Sequence, residues 1–315
     1  MQKIVITGGA GFIGSHVVRR FVKNYQDYTI VNLDKLTYAG NLANLKDIEH
    51  LPNYRFVKGD ITDAAFINQL FETEQPDAVI HLAGNADHGL ATREPWRDVQ
   101  ATAVLGARLL SSVRARRIVM LSSAAVYAGL AGAVGPELSV QPVMPYALSK
   151  LYMEGFVRSR VADGAADGAV VIRLYNAFGP GERPTRLVPA VVAAMRSGTD
   201  FRLTGAPDSL SDPVHVDDVV AALIAAVLAT VSGTWDLCGG DPHPLPDQVV
   251  RIADALDDVP PIVDLAPDTS QTPIMFHSDP HPLADALRIP LPRSFKEGVQ
   301  AYAREAGWLP ADIAG

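Results

Sequence analysis

Residues 5–16 read VITGGAGFIGSH, an apolar run that breaks into glycines and then into a helical pattern. Gly8 permits a tight turn after a strand, Gly11 lets backbone approach a pyrophosphate, and Gly14 lets the following helix pack on the strand. The amide-rich helix start then attracts the anion. Asp34 ends the next apolar run, TIVNLD, about twenty residues further on, where a carboxylate can hold the ribose hydroxyls of a dinucleotide. Its charge would repel a 2′-phosphate, so NAD is expected rather than NADP. Asp60, in KGDITD, suits the adenine side of the same site, although the rival role of capping a helix is open to both Asp60 and Asp63.

Working outward, KIVIT (3–7), TIVNLD (29–34), YRFVKGD (54–60), AVIHLA (78–83), RIVMLSS (117–123) and AVVIRL (169–174) are rich in Val and Ile and apolar on both faces. Strands of that kind lie in a parallel sheet covered by helices. The fold class is α/β: a doubly wound Rossmann sheet over residues 1–175 and a smaller α/β substrate domain over 176–315. Part of 213–238 is allowed to return to the first sheet. The chain has 315 residues, 48% hydrophobic and 20% charged, and a formal net charge of −8. That balance disfavours nucleic acid and anionic membrane as partners, since both need a basic patch. One cysteine, Cys238, can make neither an internal disulfide nor a metal cluster, which points to a reducing compartment. The glycine-broken start rejects a signal peptide, and no run of about 20 apolar residues is present, so the cytoplasm is the expected location.

PYALSK places Tyr146 and Lys150 four apart, on one face of a helix that starts at Pro145. Ser123 ends the fifth strand. A phenol of pKa about 10 needs a neighbouring ammonium and a cationic cofactor ring to act as a base near neutrality. Ser123 can hydrogen-bond the reacting oxygen. His81, His215, His277 and His281 are assigned structural or surface roles and no metal is expected: Pro280 interrupts the last pair, and no Cys or Glu completes a set.

TGGAGFIG, GDITD, HLAG, SSAAVY, YALSK, LYNAFGPG and HVDDV follow one another in the order found in extended short-chain dehydrogenases/reductases. The chain resembles that family, the NAD-dependent epimerases and dehydratases of nucleotide sugars. The resemblance implies a tightly held NAD lined by Gly8, Gly11, Phe12, Ile13, Gly14, Asp34, Asp60, Ile61, Leu82, Ala83, Tyr146 and Lys150. It also implies a Ser123–Tyr146–Lys150 catalytic set, a substrate contact from Asn176, and a homodimer.

Residues 1–60 are similar to the dTDP-glucose 4,6-dehydratases, but those enzymes carry Thr-Asp-Glu where this chain has Ser123, Ala124 and Ala125. SSAAVY is closer to the UDP-glucose 4-epimerases. Ser211, in SDPVHVDD, replaces the family's diphosphate-clamping arginine, and DTSQTPIMFHSD holds no second arginine. Arg183 and Arg186 can compensate, Arg186 matching a dehydratase lysine. Since methyl groups transfer no proton, the expectation is a C4 epimerase of a nucleotide sugar and not a 4,6-dehydratase. The alternatives are a net sugar dehydrogenase or ketoreductase, and a silent dinucleotide-binding protein. Asp87 and His88, following another strand, are expected to reach the sugar only by an unusual loop path.

Overall fold

The Val- and Ile-rich runs are the strands of one seven-stranded parallel sheet in the computed structural model, which describes residues 2–267 and 273–309. They are β1 (Gln2–Thr7), β2 (Tyr28–Asp34), β3 (Tyr54–Lys58), β4 (Ala78–His81), β5 (Ala115–Ser123), β6 (Ala166–Leu174) and β7 (Gly233–Leu237). In space they run β7-β6-β5-β4-β1-β2-β3. The order reverses between β1 and β4, where Ile4 pairs with Ala78 and Thr7 with His81. Loops leaving the two strands diverge to opposite faces there, which opens a crevice at the carboxyl edge.

Alternation along each strand feeds two apolar layers. Ile4, Ile6, Ile30, Ile80, Val119, Val170 and Ile172 pack on one face with α1 (Phe12–Asn24) and, later in the chain, Val216–Leu228. Val5, Val31, Val79, Ile118 and Met120 pack on the other, against α2 (Ala64–Glu74) and the helices at 105–111 and 145–162. This second layer includes Met153 and Val157 of α5 (Pro145–Ala162). Between them in sequence lie α3 (His88–Arg93) and α4 (Leu105–Ser111). Burial on both faces is the reason the strands read as unbroken hydrophobic runs.

Val188, Val191, Val192, Val249, Ile252, Phe295 and Val299 form a separate core among helices Leu187–Ser197, Leu245–Ala255 and Phe295–Glu305. A short parallel pair, Phe201–Gly205 with Val263–Pro267, accompanies it. Among the described residues no helix is long and apolar enough to cross a membrane.

Candidate active site

The glycine turn is fixed by close approaches that exclude a side chain. Gly8 has φ +74°, and a Cβ there would lie 2.8 Å from the Ala83 amide nitrogen. A Cβ on Gly14 would collide with the Gly8 carbonyl oxygen, so the helix can start this close to the strand only with glycine. Thr7, fully buried at the end of β1, accepts from Ala83 N at 3.2 Å and shares a 2.9 Å hydrogen bond with His81 Nδ1. That ring is held neutral, with a pKa pushed down to about 3 by burial and by the Lys150 charge. His81 thus clamps the two strands that flank the crevice.

Asp34 sits at the lip of the turn, its carboxylate accepting from Ala10 N at 3.0 Å and Leu36 N at 2.8 Å. The cap of α2 is Asp63, which accepts from Phe66 N. Asp60 instead accepts from Thr62 N and pairs with Lys35 at 2.6 Å. Phe12, Ile13, Ile61, Leu82 and Ala83 all stay partly exposed around the turn.

Across the crevice, Ser123 closes β5 and Tyr146 lies in the first turn of α5, with Lys150 one turn on. The Ser123 hydroxyl accepts from Ala125 N at 3.1 Å and acts on the phenol of Tyr146, favouring its ionised form. Lys150 Nζ donates to Leu121 O at 3.0 Å and lies 5.8 Å from the Tyr146 ring centre. In the chain alone, burial pushes the phenol up to about 12, against the lowering effect of Ser123 and Arg186. Burial brings Lys150 down to about 8, opposed by the charges of Asp98 and Glu154. Asp98 is itself fully buried beneath the site, accepting from Asn85 Nδ2 at 2.8 Å and Ser149 Oγ at 2.7 Å.

Ala124 and Ala125 form a 3-10 turn directly after Ser123 and bring no titratable group. The structure corrects the expectation for the loop after β4. The His88 ring stands 4.2 Å from that of Tyr146, centre to centre, at 40°. Its neighbour Asp87 caps α3 and pairs with Arg183 at 3.4 Å. Arg183 in turn covers the Tyr38 ring at 4.9 Å, and Tyr38 donates to Asn85. The signal was present in the sheet order: β4 lies beside β5, so their outgoing loops must share one edge. His88, Asp98, Asn85 and Tyr38 are the site neighbours that spacing in sequence did not reveal.

On the substrate side, Asn176 donates to Ser211 Oγ at 3.1 Å. Ser211 is buried, and its carbonyl accepts from Gln248 at 2.7 Å, so no cation stands at that position. Arg186 is exposed, bonds Glu182 at 3.3 Å, and its charge reaches both Tyr146 and His88. Burial raises Glu182 to about 7. Residues 268–272, the start of the stretch searched for a second arginine, lie outside the described residues.

Residues 4–236 match the family described as NAD dependent epimerase/dehydratase. The chain is 35% identical over 286 residues to the dTDP-glucose 4,6-dehydratase of Salmonella typhimurium, which covers 82% of this chain and 78% of that protein. Its fold matches the crystal structure of the dTDP-glucose 4,6-dehydratase of Streptomyces venezuelae with NAD bound. The TM-score is 0.85 at 26% identity, covering 98% of this chain and 99% of that one. The UDP-glucose 4-epimerase of Thermotoga maritima gives the same TM-score, 0.85, at 24% identity, covering 97% and 99%, and shares the fold.

These relatives overturn the expectation of an epimerase that is not a dehydratase. At 35% identity across most of the chain, the likeness is to dehydratases, and two alanines in one turn do not outweigh it. The glycine turn fits the NAD on which the family depends: a Cβ on Gly11 would press on the Gly8 carbonyl oxygen at 3.3 Å, so glycine keeps the backbone bare there, and Asp34 stands at its lip.

Proposed function

The chain belongs to the NAD dependent epimerase/dehydratase family, and we propose that it is a nucleotide-sugar 4,6-dehydratase, with dTDP-glucose the first substrate to try. One observation carries the reading. A Ser123–Tyr146–Lys150 set, its tyrosine buried, faces a dinucleotide turn in a chain that is 35% identical to such an enzyme over 286 residues.

In this reading NAD, when bound, accepts the hydride from carbon 4 of the sugar and later gives it back. Tyr146 takes the proton of the 4-hydroxyl, and Ser123 holds the same oxygen. With a pKa of about 12 the phenol would be ionised in only about one molecule in 10⁵ at neutral pH, so nearby positive charge must assist it. Lys150, held against Leu121 O, supplies that charge from behind the ring. Asp34 would hold the adenosine ribose, while Asn176 and Arg186 would contact the substrate, Arg186 through its diphosphate. The missing second arginine leaves this clamp lighter than the family's usual one.

The exposed apolar side chains Val104, Leu148 and Tyr152, on the neighbouring helices at 99–111 and α5, support a homodimer closed through these helices, which light scattering would test. For the activity, the holoenzyme is incubated with dTDP-glucose and the new carbon 6 methyl is followed by NMR. Tyr146→Phe removes the proton-transfer group and keeps the ring. It should slow turnover about a hundredfold or more and leave NAD affinity within a few-fold. No methyl signal from the wild-type holoenzyme would refute the dehydratase reading.

A further inference from the structure

Loss of water from a 4-keto sugar requires one group to take the carbon 5 proton and a proton for the departing carbon 6 hydroxyl. The groups around Tyr146 are mostly committed elsewhere. Ala124 and Ala125 carry none, and Lys150 is tied to Leu121 O behind the phenol. Both oxygens of buried Asp98 are taken by Asn85 and Ser149. Asp87 is occupied with the start of α3 and with Arg183, and Glu182 bonds Arg186 through Oε1 while its Oε2 is buried without a partner.

His88 differs from all of these. Its ring packs 4.2 Å from the Tyr146 ring, and among the described residues no hydrogen bond engages its ring nitrogens. The phenol must meet the oxygen on carbon 4, and carbon 5 is one bond away, so a ring stacked on the phenol is within reach of the next carbon. Resting on the dehydratase reading, we propose that His88 is the acid/base that carries the carbon 5 proton to the departing carbon 6 hydroxyl, replacing the side chains Ala124 and Ala125 lack.

The step balances on one side chain. The neutral imidazole takes the carbon 5 proton, the C–H electron pair becomes the C5–C6 double bond, and the C6–O bond breaks. The imidazolium then protonates the departing hydroxide, which leaves as water. The hydride removed from carbon 4 returns to carbon 6, and carbon 5 regains a proton from solvent through His88. The imidazole is suited to begin as a base. Its packing beside Tyr146 and the charges of Arg186 and Lys150 hold it below the ordinary histidine range, against the opposing pull of Asp87 and Asp98.

The test isolates the carbon 5 step by using dTDP-4-keto-6-deoxyglucose, whose carbon 5 proton is already acidic, as the probe for the holoenzyme in D₂O. Wild type should incorporate one deuterium at carbon 5, read by mass spectrometry and NMR. His88→Gln should exchange about a hundredfold more slowly or worse, with unchanged melting temperature and NAD affinity. Added imidazole should restore part of the rate to His88→Ala. Exchange by His88→Gln within threefold of wild type overturns the proposal, as does exchange lost in Glu182→Gln but kept in His88→Gln. The two readings separate cleanly: His88-dependent exchange without turnover of dTDP-glucose supports the role of His88 while refuting the proposed overall reaction.

Discussion

Replacing Arg173 by Met should destabilise the fold by about 3–5 kcal/mol, because it strands a buried carboxylate. Arg173, on β6, is 4% exposed, and Glu154, on α5, is 0% exposed. They form a two-pronged pair, with Arg173 Nε donating to Glu154 Oε1 at 3.0 Å and Nη2 to Oε2 at 2.8 Å. A third donor, Nη1, reaches the Tyr127 hydroxyl at 2.8 Å, which itself donates to Asp236. Without the guanidinium, Glu154 keeps only the Ser122 hydroxyl at 2.6 Å and the remote, exposed Arg158 at 3.9 Å.

Removing both charges is a different perturbation. Arg173→Met with Glu154→Met removes the stranded Glu154 carboxylate and leaves buried Asp236 to its hydrogen bonds from Tyr127 and Ser278, and an apolar pair in place of a buried ion pair is often neutral or better. Only Ser122 and Tyr127 each lose a partner, at about 1 kcal/mol apiece. The double variant should therefore be more stable than Arg173→Met alone, with a coupling of about 2 kcal/mol or more. Urea unfolding at pH 7, followed by circular dichroism with all four proteins, measures the cycle. An Arg173→Met cost below about 1 kcal/mol, or strictly additive single changes, would mean that Arg173 and Glu154 do not act as a coupled buried ion pair. Ser122 precedes Ser123 on β5, so Arg173→Met should also lower turnover through the position of the hydroxyl proposed to hold the reacting oxygen.

Gly14→Ala should abolish retention of NAD through purification and cost about 1–3 kcal/mol, since the new methyl meets backbone at Gly8 and Gly9; cofactor content and thermal unfolding report both. Lys150, brought to about 8, is charged below that pH and neutral above it. Activity that depends on its charge should fall as pH rises through about 8, and Lys150→Arg should lose this alkaline limb at a lower maximal rate. A flat wild-type kcat/KM profile to pH 10 would exclude the role given to the ammonium. Asp34 places its carboxylate at the lip of the turn, so NAD should bind at least tenfold tighter than NADP, about 1.4 kcal/mol, and Asp34→Ser should narrow the ratio in calorimetry.

The glycine turn, the two-sided apolar strands and the Tyr146–Lys150 spacing were legible in the chain because each is a local rule. A left-handed turn needs glycine, a strand buried on both faces needs apolar runs, and four residues make one helical turn. The same locality misled the reading of function. Ala124 and Ala125 read as the loss of proton transfer only while the site is taken to end with β5, and His88 follows another strand, from which the linear sequence offers it only an unusual loop path to the sugar.

The parallel α/β sheet, the dinucleotide turn and the candidate Ser123–Tyr146–Lys150 set can be read from the chain alone, each from short segments. Tertiary structure alone decided which side chains share the site. Strand order sets β4 beside β5, so the loop carrying His88 arrives on the Tyr146 ring. Burial then moves the phenol up to about 12 and the Lys150 ammonium down to about 8. Both effects arise from neighbours distant in the chain: a pKa depends on the charge and solvent within a few ångströms, and packing determines what lies there.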